Sequence, residues 1–152
     1  MSKNLFMKKI GEKAKFASLN LSRLNINKKN SVLKQFSQYL KTNKQSILNA
    51  NKKDLANAKF KKINDSMISR LELSSEKISE IRSSIDKIAR FKNPIDKTLS
   101  SWKRPNGLVI KRISIPIGTI GVIYESRPNV TSDVSALCFK TGNTEVTFGL
   151  LS

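Results

Sequence analysis

Apolar residues recur at steps of three and four along the first ninety residues, which is the spacing of amphipathic helices. The first stripe consists of Leu5, Phe6, Ile10, Ala14, Ala17 and Leu21. Asn27 is predicted to cap a second helix, and Thr42 or Asn43 a third. Their inward positions are Val32, Leu33, Phe36 and Leu40, followed by Ile47, Leu48, Leu55 and Ala58. These positions indicate a packed core and no chemistry.

A fourth helix has the clearest pattern. Ser74 or Ser75 is the expected N-cap, and Ile78, Ile81, Ile85 and Ile88 follow on one face. Pro94 ends the helical region, because the residue before a proline is pushed out of the helical conformation.

The pattern changes to strands after residue 98. Two β-rich segments, 99–103 and 108–113, flank the Arg104-Pro105-Asn106-Gly107 turn. Proline fixes one φ and glycine accepts a positive φ, so a β-hairpin is predicted. The apolar run at 115–124 then reads as a buried strand of an α/β sheet.

A helix over 130–140 follows that strand, with Pro128 and Asn129 at its entrance and residues 141–143 at its exit. A strand, a short loop and a helix form the front half of a βαβ unit, in which ligands sit at the carboxyl end of the strand. Residues 124–129 are therefore the expected ligand edge, where the helix N-terminus favours an anion. The alternative is an ordinary connection in which Glu125 and Arg127 form a solvated ion pair.

The composition excludes several kinds of site. Among 152 residues there are 29 Lys plus Arg, 11 Asp plus Glu, no histidine and one cysteine, Cys138. Zinc sites built from His or several Cys lack their residues, so no metal is expected. Ser-His-Asp and Cys-His catalysis are excluded because there is no histidine. One thiol cannot form an intramolecular disulfide, which fits a reducing compartment. Without a secretory signal or a membrane-spanning run, a cytoplasmic protein without a membrane partner is expected.

The net charge of +18 raises the alternative of a small basic helical module that binds nucleic acid. Two features argue against nucleic acid as a partner. The lysines are scattered through the first hundred residues, and they are enriched together with Asn and Ile, as in an AT-rich coding sequence. Aromatic residues at helical spacing suit a core better than a stacking platform. They are Phe16, Phe36, Tyr39, Phe60 and Phe91.

A resemblance enters at residues 116–131, which read Pro-Ile-Gly-Thr-Ile-Gly-Val-Ile-Tyr-Glu-Ser-Arg-Pro-Asn-Val-Thr. This stretch closely resembles the signature of γ-glutamyl phosphate reductase, also called glutamate-5-semialdehyde dehydrogenase, of the aldehyde dehydrogenase superfamily. Residues 102–108 and 135–143 match the family too, and the resemblance covers about 5–143. The 124–131 core is long and unusual, which makes it a specific motif.

The resemblance implies an α/β fold that contains the truncated start of a Rossmann-like NADP-binding domain. Residues 1–94 are then a helical leader and 95–114 a β-hairpin arm for oligomerisation. Residues 115–143 are the first strand, loop and helix of the cofactor domain. The family pattern stops after Asn143, so 144–152 are expected to be a divergent tail after a frameshift or truncation. The strand of 115–124 then lacks a neighbour in its sheet.

The implied reaction belongs to proline biosynthesis. The family reduces L-glutamyl 5-phosphate to glutamate 5-semialdehyde with NADPH and releases phosphate, through a thioester on a cysteine. That cysteine lies beyond residue 152 in the family. Cys138, on the apolar side of its helix, is expected to be buried and inert. The chain alone is therefore expected to be an inactive fragment of a homo-oligomeric enzyme, or a stub that co-assembles with a full-length reductase.

Five residues carry the implied site. Asn129 corresponds to the superfamily's oxyanion-binding asparagine, although Arg127 competes for that place if no gap is allowed. Arg127 is expected to bind a carboxylate or phosphate of the substrate. The backbone of Tyr124, Glu125 and Ser126 is expected to line the nicotinamide pocket of NADP(H).

Overall fold

A computed structural model describes residues 3–125 and 127–150, with the side chains of 5–125 and 127–148. Six helices and four strands follow one another in these ranges. The helices are α1 (Lys3–Ser22), α2 (Ile26–Thr42), α3 (Lys44–Phe60), α4 (Asp65–Leu71), α5 (Ser75–Arg90) and α6 (Pro128–Lys140). The strands are β1 (Thr98–Lys103), β2 (Val109–Ile113), β3 (Thr119–Glu125) and β4 (Thr144–Leu150). The expected mixture of helices and strands is present, and the short helix α4 was not predicted.

The core lies where α2, α5 and α6 meet. Its buried side chains are Leu33, Ile85, Ile88, Ala89 and Ala136, against which Phe36, Leu40, Ile81 and Phe139 pack. The predicted Ser74 cap is confirmed, since its side chain accepts a 3.2 Å hydrogen bond from the Lys77 N–H. The predicted Asn27 cap is wrong by two residues, because Asn25 accepts from the Lys28 N–H at 2.9 Å. Helix α6 shares this core, so the leader and the later strand–helix unit pack as one body.

The assignment of the aromatic residues to a core is wrong for four of the five. Phe36 packs on the core, but Phe16 and Phe60 are 69% and 87% exposed, and Tyr39 and Phe91 are more than half exposed. In α1, Ala14 and Leu21 are buried, whereas Leu5 and Phe6 are exposed. Helical periodicity finds one face of a helix but does not say how much of that face another element covers.

The hairpin of β1 and β2 forms as predicted, with Trp102 opposite Ile110 and Lys103 opposite Val109. Its turn closes through the Gly107 N–H to the Arg104 carbonyl at 2.9 Å, and Gly107 has φ +87°. Nearly every residue of the two strands is exposed. The hairpin is therefore a ribbon held by its own ladder.

The second sheet corrects the expectation that the 115–124 strand has no neighbour. Residues 144–150 form β4, which pairs parallel to β3 from Thr119↔Thr144 to Glu125↔Leu150. The chain reaches β4 through a turn at Gly142 (φ +75°), where the Asn143 N–H donates to the Cys138 carbonyl at 2.8 Å. A full βαβ unit is thus present, with β3 beginning at Thr119. Within the described ranges, no helix is both long and apolar enough to cross a bilayer.

Candidate functional site

The predicted ligand edge lies where β3 ends and α6 begins. Tyr124, half-buried at the end of β3, shares a short hydrogen bond between its hydroxyl and Thr131 Oγ1 in the first turns of α6. This bond fixes the strand end to the helix start. Because β3 and β4 are parallel, the edge is the carboxyl side of both strands, where βαβ units bind ligands.

Glu125 forms an ion pair that the sequence did not predict. Its Oε2 lies 3.4 Å from an Nη of Arg70, in the last turn of α4. An ion pair of Glu125 with Arg127 was the alternative expected from the sequence. In the structure, Glu125 instead pairs with Arg70, which lies 55 positions earlier and joins β3 to α4. Asn64, which caps α4 by accepting from the Met67 N–H, was the local signal for this helix. No local signal connects Arg70 with Glu125.

Arg127 and Asn129 flank the proline that opens α6. Arg127 is exposed at the N-cap position and makes no side-chain capping bond. Asn129 is exposed, and its backbone carbonyl accepts from Ser132 Oγ at 2.8 Å. Ser126, the third predicted backbone position of the nicotinamide pocket, lies outside the described residues.

A cavity of about 330 Å³ adjoins this edge, between α4, the start of α5 and the first turns of α6. Its lining includes Arg70, Glu72, Lys77, Glu80, Asn129 and Asp133. The cavity therefore brings the predicted Asn129 together with Arg70 and Asp133, neither of which was predicted. Arg127 is not among its lining residues. Asp133 Oδ1 is buried and meets no hydrogen-bond donor in the described part of the chain.

Cys138 is buried in α6, 7% exposed, as predicted. Burial raises the pKa of its thiol, and the nearby Glu145 carboxylate raises it further. Both effects disfavour the thiolate, which is the reactive form. Across the described residues, no three metal-binding side chains cluster.

Known proteins share this sequence and this fold. The chain is 41% identical to γ-glutamyl phosphate reductase of Carboxydothermus hydrogenoformans over 140 residues, which are 92% of the chain and 34% of that protein. Its identity to γ-glutamyl phosphate reductase of a Nitratiruptor species is 43% over 138 residues, 91% of the chain and 34% of the relative. The chain is homologous to γ-glutamyl phosphate reductases.

Solved reductase structures agree. The crystal structure of γ-glutamyl phosphate reductase from Thermotoga maritima matches with a TM-score of 0.87 at 35% identity, over 91% of this chain and 33% of that one. The enzyme from Saccharomyces cerevisiae matches with a TM-score of 0.89 at 30% identity, over 99% of this chain and 38% of that one. The second match, over 99% of this chain, takes in β4, within the segment expected to diverge. No family model matches the chain.

The chain spans about a third of the length of the curated reductases it matches. These relatives bear the name of the family whose signature residues 116–131 resemble.

Proposed function

We propose that this chain is the nicotinamide-side part of a γ-glutamyl phosphate reductase. The complete enzyme reduces L-glutamyl 5-phosphate to glutamate 5-semialdehyde with NADPH and releases phosphate, in cytoplasmic proline biosynthesis. The observation that carries the proposal is the β3–α6–β4 unit, whose carboxyl edge holds the family's 124–131 motif in a chain 41% identical to a reductase.

The residues at this edge fit a dinucleotide of the Rossmann-like kind. The backbone of Tyr124 and Glu125 ends a parallel strand, and the first turn of α6 has no side-chain cap at Arg127. Of the first three residues of α6, Pro128 has no N–H and the Val130 N–H donates to the Arg127 carbonyl at 3.0 Å, so the Asn129 N–H is the one of these left to meet an anionic ligand. When bound, NADPH supplies the hydride. The 124–129 turn contains no glycine, so the close approach of backbone to a pyrophosphate must come from elsewhere in the enzyme.

Two side chains are proposed to act on the substrate. The Asn129 amide, which lines the cavity, would donate to the oxygen that becomes negative at the acyl carbon. The exposed Arg127 guanidinium would bind the phosphate or a carboxylate in two parallel hydrogen bonds.

The chain by itself is proposed to be inactive. Its only cysteine is Cys138, and burial and a neighbouring carboxylate hold that thiol in its protonated form. The thiolate that attacks the acyl phosphate must therefore come from another part of the enzyme.

The test joins this chain to the two thirds of the Carboxydothermus reductase that it does not match. Purified fusion is expected to oxidise NADPH when given L-glutamyl 5-phosphate, whereas the 152-residue chain gives no turnover. In the fusion, Asn129→Ala is expected to lower kcat at least tenfold with a smaller change in KM. Turnover by the chain alone, or a dead fusion that is correctly folded, would contradict the proposal.

Nucleic-acid binding stays a second candidate because of the exposed aromatic residues. Phe60, Tyr39 and Phe16 lie on helices rich in lysine, where they are available to stack on bases. Titration with DNA at several salt concentrations separates this candidate, since phosphate contacts give a steep decrease of affinity with salt. An absence of binding at low salt removes it.

The third reading, a stub that joins a full-length reductase through the hairpin, predicts co-purification with that enzyme. The exposed strands β1 and β2 are the surface it would use. Failure of a tagged chain to retain a co-expressed reductase would exclude it.

A further inference from the structure

The 330 Å³ cavity has charges of both signs on its wall. Arg70 and Lys77 contribute cations, and Glu72, Glu80 and Asp133 contribute carboxylates. Lys77 Nζ is already held by backbone carbonyls, at 2.7 Å from that of Glu72 and 3.4 Å from that of Ser69. Arg70 is therefore the cation with most donors left, and Asp133 is the lining carboxylate with a buried oxygen that meets no donor in the described residues.

Arg70 keeps most of its donors. A guanidinium carries five N–H groups, and the bond to Glu125 is a single long one of 3.4 Å. The remaining N–H groups match the two oxygens of a carboxylate.

Asp133, in contrast, has an oxygen that lacks a hydrogen-bond donor in the described part of the chain. Its Oδ1 is shielded from solvent and meets no donor among the described residues. A buried acceptor without a donor is costly, and an ammonium group brings three N–H donors together with the opposite charge. The same cavity thus offers a site for a carboxylate and a site for an ammonium.

We propose that this cavity binds the zwitterionic end of an α-amino acid, with the α-carboxylate on Arg70 and the α-ammonium on Asp133. The proposal rests on the proposed function for its choice of ligand, since L-glutamyl 5-phosphate has this end and reacts at the other. Asn129 lines the same cavity beside the β3 edge, so the acyl group of the ligand would extend toward it. The cavity then selects an amino acid over aldehydes and acids that lack the ammonium.

The test measures binding to the 152-residue chain by NMR titration with L-glutamate, and with glutarate, which lacks only the ammonium. Glutarate is expected to bind about tenfold more weakly than L-glutamate. Asp133→Asn is expected to weaken L-glutamate about tenfold and to leave glutarate unchanged. Arg70→Gln is expected to weaken both ligands. Exposed residues away from the cavity provide matched controls, Asp54→Asn and Arg90→Gln, which are expected to change neither affinity.

Equal affinities for the two ligands, an unchanged L-glutamate affinity in Asp133→Asn, or no saturable L-glutamate binding would overturn the proposal. Unchanged glutarate binding shows that Asp133→Asn is folded, and Arg70→Gln alters an exposed side chain, so misfolding does not obscure the result. The assay needs no turnover. If the fusion turns over substrate but the 152-residue chain does not bind L-glutamate, the proposed cavity site is wrong and the reductase function stands. If the chain binds L-glutamate but the folded fusion is inactive, the reductase function is wrong and the cavity site stands.

Discussion

Apolar side chains are buried in one region of the molecule and exposed in another. The first region is the helical body of α2, α5 and α6, and the second consists of the strands β1 to β3. Ile85 in α5 is 0% exposed, whereas Ile123 in β3 is 72% exposed. Leu99, Trp102 and Val109 in the hairpin are exposed as well. Three helices can close a core among themselves, but two two-stranded sheets leave most of their faces open. The helical body therefore supplies the stability, and the strands provide surfaces and the ligand edge.

The same substitution in the two regions gives the largest expected contrast. Ile85→Ala removes a fully buried side chain and is expected to lower the free energy of unfolding by about 3 kcal/mol. Ile123→Ala is expected to change it by less than about 0.5 kcal/mol, because water already surrounds that side chain. Urea denaturation followed by circular dichroism measures both values. A large loss in Ile123→Ala would show that a partner surface covers β3 in solution.

Two of the three positive-φ glycines, Gly107 and Gly142, sharpen the contrast. Gly142→Ala places a Cβ 2.9 Å from Lys29 Nζ and 3.0 Å from Pro116 Cγ, at φ +75°. It is expected to cost about 2 kcal/mol, from backbone strain and crowding together. Gly107→Ala, at φ +87°, meets no atom within 4 Å. Its cost is expected to be about 1 kcal/mol and confined to the hairpin.

Hydrogen exchange distinguishes these two effects. Gly107→Ala should speed exchange in β1 and β2 only, while Gly142→Ala should lower protection in α6 and β4 as well. Equal global losses in the two variants would mean that the hairpin unfolds together with the helical body.

The sequence predicted the parts of the fold that local chemistry determines. Ser74 and the isoleucines of α5 follow from capping and periodicity, and the hairpin turn from Pro105 and Gly107. Strand β4 was not predicted, because the family pattern stops after Asn143 and residues 144–152 were expected to be a divergent tail. Its pairing with β3 is a long-range contact, which cannot be predicted from the residues of Thr144–Leu150 by themselves.

The sequence predicted only the side of the candidate site that β3 and α6 form. Tyr124 and Asn129 lie at the predicted edge, but their neighbours Arg70 and Lys77 come from helices more than 40 positions earlier. Such neighbours depend on how α4 and α5 pack, which neither spacing nor a motif encodes. Asp133 was visible in the sequence, yet its lack of a donor is a property of the packed structure.

Lys140 lies inside the helical body and gives a pH-dependent prediction. Its buried Nζ donates to Asn30 Oδ1 at 2.5 Å and to the Ala89 carbonyl at 2.9 Å, so α6 is joined to α2 and α5. Burial and the nearby Lys29 lower the pKa of Lys140 below its ordinary value of 10.5. Between that lowered pKa and 10.5 this lysine binds more protons in the unfolded chain than in the folded one, so its contribution to stability rises with pH.

Lys140→Met is expected to remove this contribution, whereas Lys29, whose pKa burial also lowers, keeps its own. Urea midpoints measured from neutral pH to about 10.5 should increase more in the unchanged chain than in the variant. The matched control is Lys87→Met, since Lys87 is exposed on α5 and should keep the full rise. Parallel pH profiles for the chain and Lys140→Met would show that Lys140 titrates alike in the folded and unfolded states.

The smallest effect is expected at the ion pair between α4 and β3. Arg70 and Glu125 are 43% and 45% exposed and 3.4 Å apart, so water screens the charges. A double-mutant cycle of Arg70→Gln and Glu125→Gln should give a coupling below about 0.5 kcal/mol. A coupling above about 1.5 kcal/mol would mean that the pair is desolvated in solution. The end of β3 would then be fixed to α4 as firmly as the helices are to one another, and Arg70 would not be available to a ligand carboxylate.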